Sequence, residues 1–168
     1  DATHIDIGLA GSVGDGPVVN ATVILQDSAG KVLYTEFSDD LANYRLSGRV
    51  KRGDYPLVLG VSDGTDLVTG ARPDFNLSAV VHQQGGSRIA NLNPLGTLIR
   101  EIADRMDGGL TSTNIEQATA IVLEQMSFGL DATKVPDPVT TRINSDNVTT
   151  IVRSSEALGE VVRRVRDR

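Results

Sequence analysis

The sequence pattern changes within the stretch Asn91-Leu92-Asn93-Pro94-Leu95-Gly96-Thr97-Leu98. Before it, apolar and polar residues alternate, as they do in half-buried strands. After it, apolar residues recur every three or four positions, as they do along one face of a helix. Pro94 suits the first turn of a helix, and Asn93 suits the capping position before it. A run of strands followed by a run of helices predicts an α+β fold. We therefore expect a β domain at residues 1–92 and a three-helix subdomain at residues 93–168.

The first part of the chain has the pattern of a series of short strands. Ala21, Val23 and Leu25, for example, share one face of an alternating segment. Clusters of Gly, Asp, Asn and Ser interrupt the alternation at the regular spacing that is typical of a β-sandwich. The predicted strand segments are residues 5–13, 18–26, 32–37, 44–47, 55–61, 67–69, 77–82 and 88–92.

The pattern after residue 93 predicts three helices. The apolar stripe of the first helix consists of Leu95, Leu98, Ile99, Ile102 and Met106, and two glycines then end it. The second helix begins at a capping box formed by Thr113 and Glu116 and ends at Gly129. The third follows a proline-containing loop, and Ser145 or Asp146 caps it.

Composition excludes several classes of function. The chain has 168 residues, which is one ordinary domain or two small ones. It contains no Cys, which excludes disulfides and thiolate metal sites, and its two His make a multi-histidine metal centre untenable. The net charge of −6 repels nucleic-acid phosphates and anionic lipid headgroups. No apolar stretch is long enough to span a bilayer, so we predict neither nucleic-acid binding nor membrane insertion.

Catalytic and metal-binding residues are scarce. His4 and His82 are the two candidates for a general base, and no nucleophile-elbow motif accompanies them, so we expect a protein that is not an enzyme. Acidic turns offer weak calcium ligands at Asp39, Asp40, Asp63 and Asp66. The sequence has no complete calcium-binding loop, and Asp in a turn commonly caps backbone N–H groups instead. Calcium binding and turn capping therefore both stay open, and no other cofactor is predicted.

Four segments of the first half carry a family resemblance. They are residues 8–13 (Gly-Leu-Ala-Gly-Ser-Val), 16–23 (Gly-Pro-Val-Val-Asn-Ala-Thr-Val), 30–32 (Gly-Lys-Val) and 38–46 (Ser-Asp-Asp-Leu-Ala-Asn-Tyr-Arg-Leu). This part of the chain resembles the carboxypeptidase regulatory-like domain. The resemblance implies a seven-stranded transthyretin-like or Ig-like β-sandwich that serves as a non-catalytic accessory module. Asn20 and Ala42 stand where the family has glycine, so we expect the turn at Ala42 to deviate.

The stretch at residues 91–98 is similar to the junction in large bacterial surface proteins, where such a sandwich leads into a helical segment. We therefore expect a non-catalytic binding or spacer module of a secreted or cell-surface bacterial protein, acting in adhesion or in another protein–protein interaction. The expected location is extracellular, at the cell surface or in the periplasm. The alternative is a self-assembling subunit of an extracellular filament or surface layer. Such a subunit would add its N-terminal strand to the sheet of a neighbour.

Overall fold

The computed structural model describes residues 3–14, 17–73, 76–125 and 130–166. Within them the fold is α+β, as predicted. The strands are β1 (His4–Ser12), β2 (Val18–Val19), β3 (Thr22–Gln26), β4 (Val32–Phe37), β5 (Asn43–Lys51), β6 (Leu57–Ser62), β7 (Thr65–Asp66), β8 (Ser78–Val81) and β9 (Gly86–Ile89). The helices are α1 (Pro94–Arg105), α2 (Ser112–Gln125) and α3 (Val148–Arg166). None of these three helices is both long and apolar enough to cross a membrane. Gly129, the predicted end of the second helix, lies outside the described residues.

The described strands form three sheets. β1 is the central strand of the first, antiparallel to β5 and parallel to β9. The second is antiparallel and has four strands in the order β4, β3, β6 and β8. The third is a short ribbon of β2 and β7. The prediction of seven strands is therefore wrong in number, because this ribbon adds two strands to the two larger sheets.

The ribbon arises because the chain turns at Asn20, inside one predicted strand, and at residues 67–69, in place of another predicted strand. Asn20 has a φ of 55°, which separates β2 from β3 within the predicted strand 18–26. The predicted strand 67–69 is a turn. There the carboxylate of Asp66 accepts hydrogen bonds from the N–H groups of Val68 (2.8 Å) and Thr69 (3.4 Å). A local carboxylate cap of this kind competes with the sheet ladder for the backbone donors, so β7 ends at Asp66.

Both positions that depart from glycine in the family pattern have left-handed backbone conformations. The φ angle is 55° at Asn20 and 59° at Ala42. Asn adopts this region readily, whereas Ala pays a steric cost for its β-carbon. The N–H of Ala42 donates to the carbonyl of Asp39 (3.0 Å), and the methyl group of Ala42 is buried. Ala42 thus takes the left-handed conformation that glycine adopts most easily, and the deviation of its turn from the family pattern stays a prediction.

One apolar core includes side chains of both larger sheets and of all three helices. Its largest fully buried side chains are Leu9, Leu25, Leu46, Leu57, Leu59, Leu92, Leu95, Val13, Val18, Val23, Val122 and Val135. The helix α1 lies against β8, where the Thr97 hydroxyl accepts a hydrogen bond from the N–H of Ser78 (2.9 Å). The helices thus share buried surface with the sheets, and the division at residue 92 stays a prediction about domains.

The start of α1 confirms the sequence prediction. The Asn93 side chain accepts a hydrogen bond from the N–H of Gly96 (2.9 Å), and Pro94 occupies the first helical position. Pro94 brings no N–H donor to this turn, and Asn93 satisfies one of the donors that remain. The boundary between strands and helices is therefore fixed by two adjacent residues.

The cap of α2 differs from the predicted capping box. The hydroxyl of Thr111 accepts a hydrogen bond from the N–H of Asn114 (3.1 Å), and the helix begins at Ser112. The prediction of Thr113 as the capping residue is wrong by two positions. The amide of Asn114 also donates to the carbonyls of Asp107 (2.9 Å) and Gly109 (2.7 Å), which holds the turn between α1 and α2.

The turn that leads into α3 is capped one residue before the predicted candidates. The Asn144 side chain accepts hydrogen bonds from the N–H groups of Asp146 (2.9 Å) and Asn147 (3.2 Å). The carbonyl of Asn144 accepts from the N–H of Val148 (2.9 Å), so the helical turn begins there. Ser145 and Asp146 both suit a capping position by residue type, but the amide of Asn144 has already taken these donors.

A buried amide network joins β1, the start of α1 and the loop before α3. The Oδ1 atom of Asn91 accepts from the N–H (3.2 Å) and the hydroxyl (3.4 Å) of Ser12. Its Nδ2 atom donates to the carbonyls of Thr141 (2.6 Å) and Pro138 (3.3 Å). The Nδ2 atom of Asn93 also donates to Pro138 (3.0 Å). Each asparagine is 1% exposed, so these bonds replace those that water would make.

A tyrosine bridges the edges of the two larger sheets. The hydroxyl of Tyr34 on β4 donates to the carbonyl of Arg49 (2.9 Å) and accepts from its N–H (2.9 Å), which occupies both backbone groups of this residue on the edge strand β5. A β-carbon at Gly48 would lie 2.4 Å from the Tyr34 ring. Gly48 therefore leaves the space that the ring needs.

We expect Gly48→Ala to destabilise the protein by about 1–3 kcal/mol, because the new methyl group displaces the Tyr34 ring and breaks its bonds to Arg49. Urea denaturation followed by circular dichroism measures the effect. Gly60→Ala is the matched control, since Gly60 also lies within a strand and a β-carbon there would meet nothing within 4 Å. Equal stabilities of the two variants would contradict a packing role for Gly48.

We expect Asn91→Ala to lower the free energy of unfolding by about 2–4 kcal/mol, because it leaves buried carbonyl and N–H groups without partners. Thermal and urea denaturation measure this loss. Asn43→Ala, on the exposed face of β5, should change stability by less than about 0.5 kcal/mol. A small effect at Asn91 would mean that water takes over the bonds of its amide.

Candidate functional site

The exposed face of the three-stranded sheet has a trough along its central strand. Alternation along β1 places Ile7 and Leu9 in the core. In the second half of β1, the positions that point the other way carry small residues: Gly8, Ala10 and Ser12. A strand with small residues on one face and large ones on the other leaves a depression on its exposed side.

The neighbouring strands form the rims of this trough. Ala10 lies opposite Arg45 on β5 and opposite Ile89 on β9. A methyl group thus lies between two long side chains on the same face of the sheet, because partners in a register share a face. The depression is therefore built into the pairing register of the three strands.

The loop before α3 supplies a further wall with Arg142 and Ile143. Two buried amides hold the backbone of this loop. Asn91 donates to the carbonyl of Thr141 (2.6 Å), and Asn147 donates to the carbonyl of Arg142 (2.9 Å). The irregular segment that carries Arg142 is thereby fixed against the end of β1.

Together these elements enclose two adjoining clefts, which we call the arginine groove. The cleft at the Ser12 end has a volume of about 500 Å³, and the one at the Gly8 end about 260 Å³. The four residues that line both are Ala10, Arg45, Ile89 and Arg142. The larger cleft is also lined by Gly11, Ser12, Phe37, Asp39, Asn43, Tyr44, Asn91 and Ile143. Volumes in this range suit a ligand of a few residues or sugar units.

Three arginines line the groove. Arg88 lines the smaller cleft, and its guanidinium group donates to the side chain of Gln83 and to the carbonyls of Gln84 and Gly85. Arg45 and Arg142 are exposed, and neither forms an ion pair within the part of the chain that the structure describes. Arg49, farther along the same face of β5, pairs with Asp6 (3.1 Å). Asp39 is the acidic residue among those lining the larger cleft. The groove thus presents the guanidinium groups of Arg45 and Arg142 along both clefts, in a chain whose net charge is −6.

The floor of the larger cleft includes a phenol that stays protonated. Tyr44 is 3% exposed, and its hydroxyl donates to the carbonyl of Ala90 (2.6 Å). Burial raises the pKa of Tyr44 well above its usual value. The phenol therefore holds β5 against the segment after β9 and does not exchange a proton near neutral pH.

Three of the four aspartates predicted as calcium ligands lie in turns or bends, and Asp66 ends the short strand β7. Asp66 caps its turn as described above, and Asp63, with a φ of 60°, pairs with Arg72 (3.0 Å). The Asp39 carboxylate accepts two backbone N–H bonds within its own turn, each of 2.9 Å, and Asp40 is exposed. Across residues 3–14, 17–73, 76–125 and 130–166, no three His, Asp or Glu side chains form a group that could hold a metal ion. The calcium site stays a prediction.

We expect the melting temperature to be the same with millimolar calcium and with a chelator, since the carboxylates of Asp39 and Asp66 already cap backbone donors. Differential scanning calorimetry of the full chain measures this. Tight binding to the native state would raise the melting temperature in calcium, and that result would restore the calcium hypothesis.

The histidines lie apart from the groove, and one has a partner that the sequence analysis missed. The Nδ1 atom of His82, just after β8, lies 3.0 Å from the hydroxyl of Ser112 at the start of α2. In the described chain, no carboxylate hydrogen-bonds the other ring nitrogen of His82, as the orienting group of a catalytic triad would. His4 lies near Thr3 at the start of β1 (3.3 Å). The His82 contact fastens the end of a strand to a helix.

Sequence analysis missed the groove residues Arg45, Arg142 and Ile143. The signal within reach was the alternation of small outward residues along β1, which predicts a depression on that face. The contribution of residues 142 and 143 had no local signal, because they lie in a loop without periodicity.

Comparisons with known proteins do not assign a function, so functional inference rests on the arginine groove. No protein-family model matches this chain, and no curated protein matches it. The resemblance to the carboxypeptidase regulatory-like domain therefore stays a prediction, and function must be argued from the arginine groove.

Proposed function

We propose that this chain is a non-catalytic binding module of a secreted or cell-surface bacterial protein, and that it binds its partner in the arginine groove. The observation that carries the proposal is the pair Arg45 and Arg142, which line both clefts of the groove without an acidic partner in the described structure. A spacer needs no such concave surface. A binding module needs a concave site with a few oriented polar groups.

The sheet arrangement supports the family resemblance within this proposal. We propose that the two larger sheets pack face to face as a transthyretin-like sandwich, with the ribbon of β2 and β7 at one end. Buried leucines on the inward faces of both sheets belong to one core, among them Leu9 and Leu46 on one and Leu25 and Leu59 on the other. The left-handed backbone at Ala42 also fits the glycine of the family pattern. The helices would then follow the sandwich as they do in large bacterial surface proteins.

The groups in the groove support binding and not catalysis. Its described lining offers guanidinium groups, the hydroxyls of Ser12, Ser47 and Ser87, asparagine side chains and a phenol with a raised pKa, and it includes no histidine beside the serines. The Asp39 carboxylate already accepts two backbone hydrogen bonds. This set can hold an anion, but it lacks a nucleophile paired with a general base.

The position of β1 favours the binding module over the self-assembling subunit. A donated strand must leave its own sheet, yet β1 lies between β5 and β9 and pairs along its whole length with β5. Its inward side chains belong to the core. Donating this strand to a neighbour would therefore cost the protein its central strand.

An array of peptides and glycans probed with the full chain tests the proposal. We expect a set of ligands whose binding weakens at least about tenfold in the double variant Arg45→Ala/Arg142→Ala, because both guanidinium groups contact the ligand. We also expect mass spectrometry to recover each ligand unchanged after incubation, as binding without catalysis requires.

Arg49→Ala is the matched control, since Arg49 lies on the same sheet face but is paired with Asp6. It should retain the binding of the parent chain. Binding that survives in the double variant would overturn the assignment of the groove, and a cleaved or altered ligand would overturn a non-catalytic role. Sedimentation velocity at increasing concentration tests self-assembly, and we expect a constant size.

A further inference from the structure

The chemistry of the arginine groove identifies the class of its ligand. Guanidinium groups present parallel N–H donors whose spacing matches the two oxygens of a carboxylate. Arg45 approaches from β5 and Arg142 from the loop before α3, and both line both clefts. An occupant with two anionic groups can pair with both cations at once.

The shape of the groove suits an extended chain. From Gly8 to Ser12 the trough follows four residue steps of β1, or about 13 Å at 3.3 Å per residue. The same length accommodates about four residues of an extended peptide. In such a peptide, side chains two residues apart lie on one face, so two carboxylates in alternate positions can face the sheet together.

The apolar part of the lining favours a peptide over an acidic polysaccharide. Ile89, Ile143 and Phe37 line the larger cleft beside the arginines. Aliphatic side chains pack against the stems of amino-acid side chains, whereas sugar rings are commonly held by stacking on aromatic platforms. The described lining offers a single exposed aromatic ring for such stacking. It is that of Phe37, which is 64% accessible, whereas Tyr44 is buried.

Resting on the proposed function, we propose that the arginine groove binds an extended acidic peptide segment of a protein partner, with Arg45 and Arg142 holding carboxylates at alternate positions. The peptide lies on the face of the sheet and does not add to its edge, since β1 pairs with a strand on either side. Charge complementarity between the paired guanidinium groups and the carboxylates selects this occupant.

Isothermal titration calorimetry of the full chain tests the ligand class. The probe is the capped peptide Glu-Ser-Glu-Ser-Glu-Ser, and the matched peptide has Gln in place of each Glu. We expect measurable binding of the Glu peptide, at least about tenfold weaker binding of the Gln peptide, and weakening by salt, because exposed charge pairs are screened. A Glu peptide that does not bind at about 1 mM would overturn the proposal.

Variants tie the binding to the groove. We expect Arg45→Gln and Arg142→Gln each to weaken binding of the Glu peptide several-fold, and Arg49→Gln, whose parent side chain is paired with Asp6, to leave it unchanged. A melting curve of each variant serves as the control that the variant is folded. Equal binding by the parent chain and by both groove variants would place the peptide elsewhere and overturn the proposal.

A galacturonate oligomer separates the failure of this inference from the failure of the proposed function. Suppose that the oligomer binds, that the groove variants abolish its binding, and that the Glu peptide does not bind. The proposed ligand class is then wrong, and the proposed binding module stands. If the groove substitutions change no binding here or on the array, both proposals fall.

Discussion

The hydrogen bonding of the Asn91 side chain is the constraint on which the rest of the structure depends. Its amide is buried and is bonded at one end to Ser12 on β1 and at the other to the carbonyls of Pro138 and Thr141. An amide that loses such partners in a buried site costs more free energy than its bonds contribute when made. The loop before α3 is therefore held against the central strand, and it cannot shift without exposing or orphaning these groups.

The groove is a consequence of that constraint and of the small residues of β1. A β-carbon at Gly11 would lie 2.5 Å from the carbonyl oxygen of Ala90, so this glycine allows the close approach that brings Asn91 to Ser12. The other small residues, Gly8 and Ala10, form the floor of the groove. The small residues of β1 thus have two roles. Gly11 allows close packing on one side of the strand, and Gly8 and Ala10 leave space on the exposed face. Arg142 is then positioned by two amides: Asn147 holds its carbonyl, and Asn91 holds the carbonyl of the preceding Thr141.

The fold was predictable wherever a pattern depends on neighbouring residues. Alternation located most of the strands, and Asn93 with Pro94 located the start of α1, because both signals are local. The caps of α2 and α3 were misplaced because several adjacent residues have the right chemistry, and the tertiary structure selects among them. The short ribbon escaped prediction because it depends on the backbone conformation of Asn20 and on the carboxylate cap at Asp66. The groove escaped prediction because Arg45 and Arg142 lie far apart in the sequence and come to line the same clefts only in the folded chain.

The net charge of the chain and the local charge of the groove act on a ligand in opposite directions. At physiological ionic strength, charges interact over a Debye length of about 8 Å, which is less than the length of the groove. A carboxylate beside Arg45 or Arg142 therefore senses the nearby guanidinium more strongly than the net charge of −6. A long polyanion extends beyond the groove and is repelled by the net negative charge of the chain, whereas a short acidic segment stays beside the arginines. The composition that argues against nucleic acid is thus compatible with an acidic peptide, and it restricts the length of the segment that the groove can hold.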